Sequence, residues 1–315
     1  MTEIDATTPE AYGEVVERLA GEPTRSSRGG DMRELLGVTI RSPDPRERHL
    51  FRDGYNLAFQ LQEHWAYWAG ANPGHVQRYN SNMRTWIDET GEMPGSAYGD
   101  RLRNTAGHDQ IERAVSQIRE NPDTRRALMA VHQPAVEDYD SNDVACTAHL
   151  QAFARDGELH MHAAVRSQDM FWGYPYDAAN NQYIQETMAG LLGLDVGEYV
   201  HTMGSCHYYT EYEDDALAAA EDGEAASVPD HRLCEHDHDM VWNALTDGCA
   251  KAREGLDPTR QVGELDGLSA YHADWLRVVA AYELHRHHDL DDDVGHRLRC
   301  GIQNDAWRDW AMEWA

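Results

Sequence analysis

The sequence has 315 residues, with 27 basic and 56 acidic side chains and therefore a formal charge of −29. This length is enough for one or two domains with a sizeable core, while a mean hydropathy of −0.72 argues against a membrane-spanning segment. A chain this acidic is repelled by nucleic-acid backbones, so its charge argues against a DNA- or RNA-binding protein.

The basic side chains are unusual, because Lys251 is the only lysine and all the others are arginines. Acidic surfaces with few lysines are typical of proteins that work in concentrated salt, where repulsion between carboxylates is screened. We therefore interpret most of the negative charge as a halophilic, strongly hydrated surface. The 41% hydrophobic content and nine tryptophans favour a folded chain over an acidic disordered one.

The cysteines indicate a reducing compartment, because they are odd in number and irregularly spaced. Residues 1–10 contain neither the basic nor the apolar stretch of a secretory signal. We therefore predict a cytoplasmic protein in which a thiol is free for chemistry. The five cysteines are Cys146, Cys206, Cys234, Cys249 and Cys300.

Hydrophobic periodicity and turn residues predict an α+β fold. In chain order, the first part of the sequence predicts a helix over 9–20, a strand over 34–40, helices over 50–69 and 109–120, and a strand over 125–131. Asp156-Gly157 separates two further runs, and this pair is a strong hairpin signal. It predicts strands over 146–155 and 158–165.

The rest of the chain is predicted to be mostly helical. We expect helices over 180–192 and 209–220, a short strand over 199–203, and three more helices over 240–253, 270–285 and 294–314. The polar residues 221–230 mark a boundary. We therefore predict a core over 1–220 and a helical C-terminal extension over 221–315, packed on the same domain.

Cys146 and Arg166 stand at the open end of the predicted hairpin, so antiparallel pairing brings them close together. An arginine beside a thiol favours the thiolate and makes it a better nucleophile. A lone cysteine is nevertheless often a small buried side chain. On its own, this pairing is compatible with either role.

The spacing of polar residues after Cys146 is more specific. It gives Arg-Ser-x-Asp at 166–169, Gly-x-Pro-Tyr-Asp at 173–177 and His-x-x-Gly-x-x-His-x-Tyr at 201–209. This order resembles the thymidylate synthase family, which includes the dCMP hydroxymethylases. Further matches fall in the same order over roughly residues 25–215, at 27–30, 63–70, Trp86, Tyr98-Gly99 and 121–134.

The resemblance implies a mixed sheet flanked by helices, here with a largely helical C-terminal segment, and a catalytic core over residues 1–220. It implies that Cys146 adds to C6 of a pyrimidine mononucleotide, and that the activated C5 attacks the one-carbon unit of 5,10-methylenetetrahydrofolate. Glu63 matches the family's glutamate that organises proton transfer and ordered water around the ring.

The resemblance also implies the substrate contacts. Arg28, Arg125, Arg126 and Arg166, with Ser167, match the residues that bind the 5′-phosphate, for which guanidinium groups are well suited. In the family, the pair matching Arg125 and Arg126 comes from the partner subunit, which implies a homodimer with shared active sites. Asp169, His207 and Tyr209 match further substrate contacts, the last two at the sugar 3′-hydroxyl. Trp86, Asp169 and Gly173 match the folate contacts.

Asp177 is the informative departure, because thymidylate synthases carry asparagine at this position. An asparagine amide matches the O4 acceptor and N3–H donor of uracil, whereas cytosine has the opposite pattern and suits a carboxyl group. The dCMP hydroxymethylases of the family also carry aspartate here. We therefore expect a dCMP hydroxymethylase. The alternative interpretation is that Asp177 is one more acidic substitution in an acidic protein.

Other departures bear on the product. In the family, closing strands and a terminal segment shield hydride transfer from water. The helical C-terminal hundred residues contain no counterpart to them. This favours water over hydride as the group that adds to the exocyclic methylene. Ser205, Thr147 and His132 also differ from the family pattern. A thymidylate synthase that methylates dUMP and a non-catalytic paralogue remain the alternatives, and the choice between deoxyribose and ribose stays open.

A cluster of histidines and one cysteine lies in an acidic segment that follows the core. No second half of a Cys/His zinc framework lies at matching spacing, so we predict a solvated polar loop and no metal site. The cluster consists of His231, Cys234, His236 and His238.

Overall fold

A computed structural model describes residues 2–228, 235–257, 268–287 and 292–313. The strands of these residues are β1 (Thr2–Asp5), β2 (Arg25–Ser27), β3 (Gly30–Ser42), β4 (Glu47–Phe51), β5 (Leu128–Ala130), β6 (Thr147–Arg155), β7 (Glu158–Asp169), β8 (Asp195–Tyr209) and β9 (Glu224–Ser227). The α-helices are α1 (Thr8–Ala20), α2 (Leu57–Ala69), α3 (Tyr98–Arg103), α4 (Gln110–Glu120), α5 (Tyr174–Leu192), α6 (Glu213–Asp222), α7 (Glu235–Arg253), α8 (Ala270–His287), α9 (Asp292–Cys300) and α10 (Asp305–Met312).

Seven of these strands form one mixed sheet in the order β1-β3-β8-β7-β6-β5, with β2 paired to β3. β7 and β8 are parallel and are joined by the crossover helix α5, as parallel neighbours require. β3 is antiparallel to β8, and β6 is antiparallel to β7. The carboxyl ends of β7 and β8 therefore meet the amino ends of β3 and β6 at one end of the sheet, which we call the site end.

The hairpin formed by β6 and β7 confirms the prediction from Asp156-Gly157. Both turn residues have positive φ, 51° for Asp156 and 88° for Gly157. A two-residue turn of this kind matches the right-handed twist of the flanking strands, and it favours Asp-Gly. The turn fixes the register from Arg155 opposite Glu158 to His149 opposite Ala164, and an irregularity between Thr147 and His149 then places Thr147 opposite Val165.

The helix predicted over 50–69 is wrong at its start. Leu50 lies in β4, and α2 begins only at Leu57, where the side chain of Asn56 accepts a hydrogen bond from the backbone N–H of Phe59 at 3.0 Å. β4 pairs with β9, so the segment predicted as a loop over 221–230 contains a strand. The long helix predicted over 294–314 is also wrong, because α9 and α10 are separate helices.

The C-terminal helices pack behind α2. The Gln62 side chain donates to Cys249 Sγ on α7 at 3.3 Å, and Asn56 Nδ2 donates to the Tyr282 hydroxyl on α8 at 3.1 Å. Trp310 on α10 donates its indole N–H to the carbonyl oxygen of Tyr55 at 3.0 Å. These contacts hold the start of α2 in place. None of the described helices is long and apolar enough to cross a membrane.

Candidate active site

Cys146 lies half-buried in the turn just before β6. The hydroxyl of Tyr98 on α3 accepts hydrogen bonds from the backbone N–H groups of Cys146, at 3.0 Å, and Thr147, at 3.3 Å. α3 crosses α2 closely at Gly99, where a Cβ atom would collide with the carbonyl oxygen of Ala66. Tyr98 thereby fixes the backbone of Cys146 relative to α2.

Arg166 lies beside Cys146, as the hairpin predicts. Its Nε donates to the carbonyl oxygen of Ala145 and its Nη2 to that of Val144, both at 2.9 Å, and its backbone N–H donates to Cys146 at 2.8 Å. Burial raises the pKa of the Cys146 thiol to about 11, and the charge of Arg166 opposes this shift. The thiol is therefore protonated near neutral pH in the chain alone.

Two carboxyl groups, Glu63 on α2 and Asp177 on α5, lie near each other, and Asp177 also lies near this thiol. Asn180, one turn after Asp177, donates its amide to Glu63 Oε2 at 3.2 Å, while its oxygen accepts from Gln60 at 2.8 Å. Burial, with a further contribution from Asp177, raises the pKa of Glu63 to about 8. Burial also raises the pKa of Asp177 to about 6. Glu63 is thus a neutral acid near neutral pH, oriented by Asn180.

This raised pKa predicts how Glu63 affects stability. Between the ordinary pKa of 4.5 and about 8, the folded chain keeps a proton that the unfolded chain releases. The contribution of Glu63 to the free energy of unfolding is therefore present below this window and is lost as the pH rises through it. We expect Glu63→Gln to gain stability relative to the wild type from mildly acidic to mildly alkaline pH.

Denaturant unfolding of both proteins across that pH range, at constant high salt, measures this difference. Glu221→Gln, at an exposed position on α6, is the control for the loss of one negative charge. Parallel stability curves for the wild type and Glu63→Gln would contradict the buried, protonated state of Glu63.

The site end of the sheet also holds the predicted sugar and phosphate contacts. The register of β7 and β8 places Asp169 opposite His207, and burial raises the pKa of Asp169 to about 6. The turn from β2 to β3 passes over Tyr209, where Gly29 leaves no room for a Cβ atom. This turn carries Arg28, whose Nη1 donates to Asn142 Oδ1 at 2.6 Å, on the loop that leads to Cys146.

Two further predicted positions lie at the same end of the sheet. Ser167 on β7 is paired with Ser205 on β8, in the register that also aligns Asp169 with His207. Ser205 stands where the family has aspartate, and its hydroxyl donates to Glu34 Oε1 on β3 at 2.6 Å. The carboxylate of Glu34 on β3 therefore places an acidic group beside Ser205, at the position where the family has aspartate.

Arg125 and Arg126 do not join this cluster within one chain. Both are exposed just before β5, which runs antiparallel to β6 and pairs Leu128 with Gln151. This register places Arg126 near residue 153, roughly 20 Å along β6 from Cys146 at about 3.3 Å per residue. At that distance, Arg126 cannot bind the phosphate of the nucleotide whose ring contacts Cys146 of the same chain.

A cavity of about 700 Å³ lies next to the segment that holds two of the predicted folate contacts, but none of Trp86, Asp169 and Gly173 lines it. Trp172, between Asp169 and Gly173, lines this cavity, whereas Trp86 does not and is 38% exposed at the end of the 3₁₀ helix Ser81–Trp86. The cavity wall combines aromatic rings with arginines, namely Trp172, Tyr79, Tyr282, Arg78, Arg84 and Arg286.

Several residues of the site were not predicted from the sequence. Gln168 donates to Asp177, Asn180 donates to Glu63, and Trp172 lines the cavity. Gln168 and Trp172 fall within or next to the motif segments, and Asn180 lies three residues after Asp177 on a helix. The positions of these residues within or beside the motifs were therefore the sequence signal that could have pointed to them. That signal did not identify the side chains that they contact.

His231 and Cys234 of the predicted polar loop lie outside the described residues. His236 and His238 lie at the start of α7, so the loop prediction is wrong for these two residues, whose side chains are not described. Within the described part of the chain, no three His, Cys, Asp or Glu side chains are grouped so as to hold a metal ion.

Both the sequence and the fold of this chain are similar to those of known proteins. The thymidylate synthase family model matches residues 49–243. A curated relative, the deoxyuridylate hydroxymethyltransferase of Bacillus phage SP01, is 30% identical over 200 residues, which cover 58% of this chain and 52% of the relative. The chain thus matches about half the length of this relative.

Two solved structures have the same fold. Thermostable thymidylate synthase A from Bacillus subtilis superposes with a TM-score of 0.57 at 21% identity, covering 70% of this chain and 86% of that chain. The thymidylate synthase of T4 phage gives a TM-score of 0.56 at 19% identity, covering 65% and 78%. The predicted fold, a mixed sheet flanked by helices, is confirmed.

Proposed function

The chain belongs to the thymidylate synthase family, and we propose from this premise that it transfers a one-carbon unit to C5 of a pyrimidine mononucleotide, acting as a dCMP hydroxymethylase. The single observation that carries the choice of base is the carboxyl group of Asp177, half-buried beside Cys146 and Glu63. A reducing cytoplasmic setting, which keeps Cys146 as a thiol, is part of the proposal.

Asp177 favours cytosine for electrostatic reasons. An ionised carboxylate opposite uracil O4 sets lone pairs against lone pairs, whereas the 4-amino group of cytosine donates to the same oxygen. Sites that leave a buried polar group mispaired discriminate between substrates by ~10⁴–10⁵. The phage relative is named for deoxyuridylate, which supports the hydroxymethyl product and makes dUMP the competing substrate.

The proposed chemistry starts with the thiol of Cys146. Its sulfur bonds to ring C6 and loses its proton, and the electron pair of the C5–C6 double bond moves to C5. Arg166 favours the thiolate form at this step. Glu63, held by Asn180 and neutral near pH 7, can donate a proton to the ring and order water next to C5.

5,10-Methylenetetrahydrofolate would supply the carbon at formaldehyde oxidation level. C5 would bond to this carbon and lose its hydrogen as a proton, tetrahydrofolate would leave, and water would add to the exocyclic methylene as the bond between Cys146 and C6 breaks. The cavity beside Trp172 fits such a co-substrate, because its aromatic rings suit a flat heterocycle and its arginines suit carboxylates. Asp169 and Gly173 flank Trp172 in the chain, so the same segment contacts the nucleotide site and the cavity. Trp86 stays a proposed contact.

Mass spectrometry of the product tests the proposal. The purified chain is incubated with 5,10-methylenetetrahydrofolate and, separately, dCMP, CMP or dUMP, in concentrated KCl because of its acidic surface. We expect 5-hydroxymethyl-dCMP without formation of dihydrofolate. Conversion of dUMP to dTMP with dihydrofolate would instead establish a thymidylate synthase, and product from CMP but not dCMP would identify a ribonucleotide enzyme.

We further propose a homodimer in which Arg125 and Arg126 bind the phosphate in the partner's site. Their exposure and their distance from Cys146 support this arrangement. The test co-expresses Cys146→Ala and Arg126→Ala chains, each of which we expect to be inactive when it is expressed alone. Their mixed dimer contains one complete site, so we expect up to about a quarter of wild-type activity.

The matched control for this experiment pairs Cys146→Ala with Arg166→Ala. Arg166 serves the site of its own chain, so a mixed dimer of these variants has no complete site and should recover no activity. Equal recovery with both arginine variants, or no recovery with Arg126→Ala, would contradict the sharing of Arg126.

A further inference from the structure

Gln168 is the third residue of the Arg-Ser-x-Asp segment, and it lies buried on β7 with 1% exposure. Its Nε2 donates to Asp177 Oδ2 at 2.8 Å, and its Oε1 lies 3.0 Å from Nε2 of His201 on β8. Gly173 leaves space for this amide, because a Cβ atom there would lie 2.7 Å from Gln168 Nε2. Gln168 thus links Asp177 to the interior of the sheet.

A chain of hydrogen bonds behind Gln168 fixes the orientation of its amide. Asn181 Nδ2 donates to the Tyr199 hydroxyl oxygen at 3.1 Å, so the hydroxyl proton points to Nδ1 of His201 at 2.7 Å. Burial lowers the pKa of His201 to about 3, so its ring is neutral and carries one N–H. That N–H is on Nε2 and donates to Gln168 Oε1, which directs the Gln168 NH₂ group toward Asp177.

An ionised carboxylate cannot pair with N3 of cytosine, which is itself an acceptor, so Asp177 carries a proton when it pairs with both N3 and the 4-amino group. The orientation of Gln168 then matters because a neutral carboxyl group is ambiguous. With the proton on one oxygen, it donates to N3 of cytosine and accepts from the 4-amino group. With the proton on the other oxygen, it accepts from N3–H of uracil and donates to O4. A protonated Asp177 alone therefore matches both bases, and a second group must determine which oxygen holds the proton.

We propose that Gln168 is a specificity-determining positioning residue, which confines the carboxyl proton of Asp177 to Oδ1 by donating to Oδ2. Oδ1–H then donates to N3, and Oδ2 accepts from the 4-amino group of cytosine. The arrangement that suits uracil would set an O–H of Asp177 against the N–H of Gln168. This inference rests on the proposed cytidine substrate.

The test is the ratio of kcat/KM for dCMP to that for dUMP. Gln168→Met keeps the size of the side chain and removes its N–H, and we expect the ratio to fall roughly 10- to 100-fold. A general structural defect would lower both values together and leave the ratio unchanged. The matched control is Gln185→Met. Gln185 is also buried, and its amide donates to the carbonyl oxygens of Leu159 and Gly197, both at 2.8 Å, so the ratio should not change.

His201→Phe is the second variant, and it provides the test if Gln168→Met does not fold. It frees the amide of Gln168 to turn, so the ratio should fall in the same direction. If the wild type prefers dCMP and the ratio is unchanged in Gln168→Met, this inference alone is overturned. Where only His201→Phe folds, an unchanged ratio in that variant has the same consequence. Wild-type preference for dUMP would overturn the proposed function, and this inference with it.

Discussion

Replacing Cys146 with alanine is expected to lower turnover by at least about 10⁴-fold, as removal of a nucleophile typically does. Without the sulfur, nothing adds to C6, and C5 of the pyrimidine stays too poor in electrons to attack a one-carbon unit. Arg166 remains anchored to the carbonyl oxygens of Val144 and Ala145, and His207 remains on β8. Nucleotide affinity should therefore change much less than turnover.

The experiment compares turnover and nucleotide affinity of Cys146→Ala with those of Cys300→Ala. Cys300 is an exposed thiol at the end of α9, so its loss should leave turnover unchanged. A denatured complex of wild-type chain and nucleotide should also carry the mass of a covalent adduct at Cys146. Unchanged activity in Cys146→Ala would refute the covalent mechanism and support a different chemistry or a non-catalytic role.

Replacing Asp177 with asparagine is expected to shift the choice of base toward uracil. The new amide donates to O4 and accepts from N3–H of uracil once the Gln168 amide turns so that its oxygen accepts from the new NH₂ group. With Gln168 unturned the amide still matches cytosine, so we expect the ratio of kcat/KM for dCMP to that for dUMP to fall by roughly 10²- to 10³-fold, below the full scale of discrimination by buried hydrogen bonds. Steady-state kinetics on both nucleotides measures the ratio directly.

The control for this variant is Asp214→Asn, which removes one exposed carboxylate on α6. It tests whether Asp177 is only one more acidic residue of an acidic surface. If both variants change the two kcat/KM values equally, Asp177 does not select the base. A wild type that already prefers dUMP would refute the argument from Asp177 before any substitution is made.

The sequence by itself determined the local elements and the identity of the motif residues. The Asp156-Gly157 turn and the alternation around it specified the hairpin, because a two-residue turn restricts strand register locally. The hairpin in turn placed Cys146 near Arg166, as the hydrogen bonds of Arg166 to residues 144–146 show. The α+β class followed from hydrophobic periodicity and turn residues, and the mixed sheet flanked by helices followed from the family resemblance of the motifs.

Tertiary structure alone decided the contacts between segments that lie far apart in the chain. β4 is a strand because it pairs with β9, more than 170 residues later, and local periodicity carries no information about such a partner. Tyr98 and Asn180 hold Cys146 and Glu63 through hydrogen bonds of this tertiary kind. The orientation of the carboxyl groups, and with it the proposed choice of base, therefore depends on packing that brings α2, α3, α5 and β7 to one place.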